Sequence, residues 1–336
     1  MKTISPWKII KLSLQTLIIS MIYTSCSPGD QGELVRITIP AGSTFETVLD
    51  TLVEREIVTS PFRFRLYARI KGADRQIKAG DYELAQGKTW NEILDPLITG
   101  QVITEKITIP EGFKIDDMVD RIAEVTEDDP ESVRALLLDS LAHDHWKVPG
   151  PGLEGYLFPD TYHFARGIGI NLVIKTMIDQ YKSRWTPEWS ARLEELEMSE
   201  REIVTLASII QAEAMLIEEM PTISSVYHNR LRLGYLLQAD PTVIYALGGR
   251  RERLLFAMID SVADSPYNTY TQRGLPPGPI GSPGNAALQA ALYPSDDTYL
   301  YFVARLNGSH TFTNSLEEHN QARILSRRER DKSNRP

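Results

Sequence analysis

The stretch LASIIQAEA, Leu206 to Ala214, sets one carboxylate, Glu213, among apolar neighbours. Apolar walls disfavour the charged form of a carboxyl group and raise its pKa. An acid still protonated near neutral pH can give that proton away, and a glycosidic oxygen is an acceptor that needs such a donor. Taken on its helix alone, Glu213 also reads as a stripe-edge residue snorkelling to water. Rival chemistries have less to work with. The six histidines (His143, His145, His163, His228, His310 and His319) show no H-E-x-x-H or comparable spacing, so no metal site is expected. No G-x-S-x-G or Walker sequence occurs, and GIGINL (167–172) lacks the third glycine of a dinucleotide loop.

Local patterns say what must position that acid. Ser199 followed by Glu202 is a capping box that opens a helix. At 100° per residue, Ile203, Leu206, Ala207, Ile210, Ala214 and Ile217 form one stripe, with Glu213 on its edge and Pro221 ending or restarting the helix. TISSVYHNRLRLG reads as a second helix with Gly234 as its C′ residue. In ADPTVIYALG, Asp240 suits the cap, Pro241 the first turn and Gly248 the close of a short helix. SPYNTYTQRGLPPGPIGSPG (265–284) holds five prolines and four glycines. It is too stiff for a linker, and Tyr267, Tyr270 and Leu275 can pin it as an ordered loop. A helix (PGNAALQAALY), a hairpin turning at Asn307-Gly308 and a capped helix from Ser315 complete the chain, with RRERDKSNRP a solvated tail.

Upstream, VRITIPAGSTFETVLDTLVEREIV (35–58) and EKITIPEGFKIDDMVDRIAEVT (105–126) resemble each other. Each is an alternating strand, a Pro-x-Gly turn and an amphipathic helix, with Phe45, Val48, Leu49 and Leu52 in one and Ile115, Met118, Val119 and Ile122 in the other. Two copies make a small α+β module and are too few for a solenoid. GLEGYLFPDTYHF (152–164) packs aromatic residues around glycines, which suits either a flat ligand or a core.

The chain has 336 residues, 42% apolar and 24% charged, as in folded proteins. Its start differs: Lys2, Lys8 and Lys11 precede the uncharged LSLQTLIISMIYTS, then Cys26, the one cysteine. A basic start and a short apolar run read as an export signal or uncleaved anchor, with Cys26 placed like the acylated cysteine of a bacterial lipoprotein, although Tyr23 departs from that pattern. Either way the bulk of the chain lies outside the cytoplasm. A lone cysteine excludes an intramolecular disulfide framework. Beyond residue 25 the net charge is −12, which opposes binding to nucleic acid.

EGYLFPDTY, LASIIQAEA, NRL, LQADPTVIYALG, SPYNTY, GLPPGPIGSPG, YFVA and HTFTNSLEEHN occur in this order. Together they resemble the endolytic murein transglycosylases of the MltG/YceG-like family, from about Val35 to Ala322. The resemblance implies an α+β protein: a signal or anchor at 1–26, a LysM-like module at 35–126, a larger mixed α/β catalytic domain at 127–325 and a disordered tail at 326–336. It implies an enzyme without metal or cofactor that cuts MurNAc-β1,4-GlcNAc bonds in nascent peptidoglycan, leaves 1,6-anhydroMurNAc ends and limits strand length beside the cell-wall synthases. The position matching the family's catalytic glutamate is Glu213. Gln211 stands where many members carry a second glutamate, and Ser282 where asparagine is frequent. Gln238, Tyr267 and Asn268 are candidates for holding the sugar, with loop hydrogen bonding the plainer role for Gln238 and Asn268; for Asp240 the helix cap is favoured. His310 and His319 match a motif and can line the cleft. A non-catalytic peptidoglycan-binding scaffold and a hydrolytic muramidase are the alternatives.

Overall fold

Alternation puts Ile37 and Ile39 on one face of β1 (Leu34–Ile39), and both are buried where β1 pairs antiparallel with β2 (Gly80–Ala85) in the register Ile37 to Tyr82. The computed structural model describes residues 32–249 and 254–333. They form two units that divide between Ile103 and Thr104. In the first unit, α1 (Phe45–Glu54), α2 (Pro61–Lys71) and α3 (Trp90–Thr99) cover the β1–β2 ribbon. Val48, Leu49, Leu52, Phe64, Ala68 and Leu97 close its core. Thr44 caps α1, and Thr89 with Glu92 forms a capping box on α3.

The second unit opens with β3 (Thr104–Thr108) and α4 (Ile115–Thr126). Here the structure corrects the expected boundary at residue 126. β3 pairs not with the first module but with β4 (Thr161–Ala165), Ile107 opposite Tyr162. Ile115, Met118, Val119 and Ile122 of α4 join the core of the larger unit, the same core that takes in Leu206 and Ile209. The two similar β-α stretches are therefore split between two cores, because each strand found a different partner.

After α4 come α5 (Pro130–Leu137), α6 (Ala142–Trp146), α7 (Ile170–Lys182) and α8 (Pro187–Leu196). The central helix α9 (Glu200–Glu213) follows, then α10 (Met220–Arg232), α11 (Asp240–Ala246), α12 (Phe256–Ser261) and α13 (Asn285–Leu292). The hairpin β5 (Tyr301–Ala304) and β6 (His310–Thr313) turns through Gly308 at φ +82°. Gly234 after α10 takes the left-handed conformation (φ +67°) expected of a C′ residue. The last helix, α14 (Leu316–Ser333), starts at the Ser315 cap and runs on through residues expected to be a disordered tail, where Ser326 donates to the Ala304 carbonyl at 2.8 Å. The expected anchor at 1–26, with Cys26, lies outside the described residues. Among the described residues no helix is long and apolar enough to cross a membrane.

Candidate functional site

Every residue of α9 from Ile203 to Ile210 is buried, so this helix is core on all sides rather than a half-exposed amphipath. The Ser199–Glu202 capping box fixes its start. Its end is earlier than the periodic stripe implies. Ala214 is extended (φ −78°, ψ 126°), Ile217 lies in a one-turn helix and is 61% exposed, and Pro221 sits in the first turn of α10, where no N–H is needed. A rigid buried rod thus delivers Glu213, its last residue, to the wall of a cleft of about 710 Å³.

The half-buried Glu213 carboxyl accepts a 3.1 Å hydrogen bond on Oε1 from the buried Tyr227 hydroxyl of α10. Its pKa is pushed up to about 7: loss of water is the largest cause, the nearby Asp240 charge adds to it, and the Tyr227 hydrogen bond pulls it back in part. Asp240 is not a cap. It lies inside the first turn of α11, after Ala239, and receives the Tyr270 hydroxyl at 2.5 Å. Gln238 lines the same cleft in a left-handed conformation (φ +52°), its backbone N–H donating to Thr269 O at 3.0 Å. Arg230 donates to the carbonyls of Leu300 (2.6 Å), Leu237 (2.9 Å) and Leu236 (3.1 Å), and its guanidinium lies 5.0 Å from the Tyr301 ring centre. It ties α10 to the hairpin and to the segment that presents Gln238. His310 and His319 both line the cleft, and His310 Nδ1 lies 2.7 Å from Glu219 Oε2.

The remaining candidates fall elsewhere. Asn268 is fully buried: its amide donates to Ile259 O (2.9 Å) and Val262 O (3.1 Å), and its Oδ1 accepts from Tyr270 N. It shapes the loop and cannot meet a sugar. Tyr267 is not in the cleft wall; it packs on Tyr245, centroids 4.9 Å apart. Gln211 accepts from Gly284 N at 3.0 Å and Ser208 Oγ from Ile280 N at 3.1 Å, so α9 clamps the Pro-Gly loop along its side. Close approach explains Gly281 of that loop, where a Cβ would sit 2.8 Å from Gly112 O. Tyr227 was not legible as a partner of Glu213, because the two stand on different helices and only their packing joins them. A second raised acid, Glu154, also escaped notice; burial pushes its pKa up to about 8 while it accepts from Ile115 N (3.2 Å) and Tyr245 (3.3 Å).

The raised pKa of Glu213 carries a stability signature. An unfolded glutamate loses its proton near pH 4.5 and the folded one near 7, so stability from this group is complete below 4.5 and lost as pH rises through 7. Glu213→Gln keeps an acceptor for Tyr227 and removes that titration. In urea unfolding the variant should exceed the parent by about 3 kcal/mol at pH 8, with no difference at pH 4. Glu154 is common to both proteins and drops out of the comparison.

The sequence pattern of the YceG-like family matches residues 37–324. A Bacillus subtilis protein named endolytic murein transglycosylase is 35% identical over 310 residues, spanning 88% of this chain and 85% of that protein. A Streptococcus pneumoniae protein of the same name is 29% identical over 322 residues, 85% of this chain but 57% of its own length. The crystal structure of a YceG-like protein from Listeria monocytogenes is 31% identical, covers 86% of this chain and 98% of that one, and superposes with a TM-score of 0.60.

Proposed function

The chain belongs to the YceG-like family, and we propose from that membership and the cleft that it is an endolytic murein transglycosylase, cutting glycan strands of peptidoglycan internally. The observation that carries the reading is a carboxyl with pKa raised to about 7, held by Tyr227 at the wall of a cleft of about 710 Å³. With Oε1 held, Oε2 meets the glycosidic oxygen. Glu213 protonates that oxygen as the C1–O4 bond breaks, and the resulting carboxylate then takes the proton of the sugar's own C6 hydroxyl as it closes on C1. The attacking alcohol is intramolecular, so its high effective concentration replaces a second catalytic carboxylate. That fits Gln211, whose amide clamps the neighbouring loop. Gln238 and Asp240 would contact the sugar from the opposite wall.

Digestion of purified peptidoglycan by the full chain, followed by product masses, tests this. The expected ends are 1,6-anhydroMurNAc, lighter by one water than hydrolytic ends; reducing MurNAc ends would make the protein a muramidase. Asp240→Asn supplies a second check. Removing the charge that helps hold the proton on Glu213 should move the basic limb of the pH–rate profile to lower pH and reduce the rate above it about threefold. An unmoved limb would leave Asp240 without electrostatic influence on the acid.

The first unit serves as a LysM-like glycan-binding module, and the apolar segment before Cys26 holds the chain on the extracytoplasmic face of the membrane, beside the synthases whose strands it shortens.

A further inference from the structure

In the first unit, α2 buries Phe64 and Ala68 but turns a second apolar row outward. Phe62, Leu66 and Ile70 are 74%, 53% and 76% exposed. Spaced four residues apart, they centre on the helix face opposite the buried pair. Arg69 and Arg65 border this row on one side and Arg63 on the other, Lys71 closes its end, and α2 contains no acidic residue. Arg65 pairs with Glu46 at 2.6 Å and the exposed Lys71 holds its ammonium 5.8 Å from the Tyr67 ring centre, whereas Arg63 and Arg69 reach into solvent. Three large apolar side chains in a continuous exposed row mark a surface that something covers. The cationic border says what: an apolar ridge flanked by arginines and lysine matches the acyl boundary and phosphates of an anionic bilayer, with the helix lying flat.

We propose that the outward face of α2 rests on an anionic phospholipid bilayer, with Phe62, Leu66 and Ile70 in the acyl–headgroup boundary and Arg63, Arg69 and Lys71 on lipid phosphates. The proposal rests on the anchoring reading given above. Eight residues from Cys26 to Leu34 span at most about 28 Å, so a chain held at its start keeps this unit within reach of the surface.

The test uses the full chain in phosphatidylglycerol–phosphatidylcholine vesicles with brominated acyl chains, comparing Phe62→Trp with the parent. The emission added by the substitution should be blue-shifted and quenched by bromine. Both effects should be lost in an Arg63→Glu/Arg69→Glu/Lys71→Glu background and weakened in pure phosphatidylcholine. Leu66→Trp repeats the reading at a second position. Added emission that stays water-like overturns the proposal. Blue-shifted but unquenched emission also overturns it, because protein, from this chain or a second copy, then covers the row. Vesicle flotation separates the two readings: a chain that floats without quenching removes the α2 contact alone, and a chain that does not float removes the anchor with it.

Discussion

Glu213→Gln should abolish turnover of peptidoglycan, lowering kcat by about 10³-fold or more while leaving KM within a few-fold. General acid catalysis contributes on the order of 10²–10⁴, and in this reaction the same carboxyl acts twice, first as acid and then as base. Glutamine preserves the volume and the acceptor for Tyr227 but has no proton of the required acidity to give. Because the substitution should also raise stability at alkaline pH, a folded, more stable and inactive protein is the combined expectation. An active Glu213→Gln protein would remove the acid from the mechanism altogether.

Arg230→Met should destabilise the second unit by about 3 kcal/mol in urea unfolding. Methionine fills the stem's volume but leaves the carbonyls of Leu300, Leu237 and Leu236 without their charged donor. Arg230 is 8% exposed, so water replaces those bonds poorly. Arg232, two residues further on, is exposed and, among the described residues, donates to Asn229 alone at 3.1 Å; Arg232→Met should change stability by less than about 0.5 kcal/mol. Arg230→Lys should recover only part of the loss, since one ammonium cannot serve three diverging carbonyls and stack on Tyr301. Equal, small effects of Arg230→Met and Arg232→Met would show that the cleft's far wall stands without this tie.

What the sequence made legible is what neighbours in the chain decide. The Ser199–Glu202 box, the Gly234 C′ position and the Asn307-Gly308 turn are local chemistry, and the structure has them where local rules place them. Glu213 stood out for the same reason, as one carboxylate in an apolar helix. Pairings between distant segments were hidden. β3 looked like the twin of β1, yet its partner β4 lies beyond three helices, and no pattern within residues 105–126 announces that. Asn268 read as a polar loop residue open to a ligand, while its amide is enclosed by carbonyls from Ile259 and Val262. The end of α9 at Glu213 is equally non-local, since the apolar period continues through Ala214 and Ile217 after the helix has stopped. α2 carries apolar residues on two opposite faces, a pattern that says nothing of which face the core takes.

The pairing of β3 with β4 determines where the polypeptide can be cut. A fragment beginning at residue 127 would strip β4 of its partner and pull Ile115, Met118, Val119 and Ile122 out of the interior, leaving a bare strand edge over an opened apolar surface, the combination that templates aggregates. A fragment beginning at Thr104 keeps that ribbon and every one of those side chains. Dissection by sequence similarity and dissection by cohesion thus fall 23 residues apart, and only the second leaves each core whole.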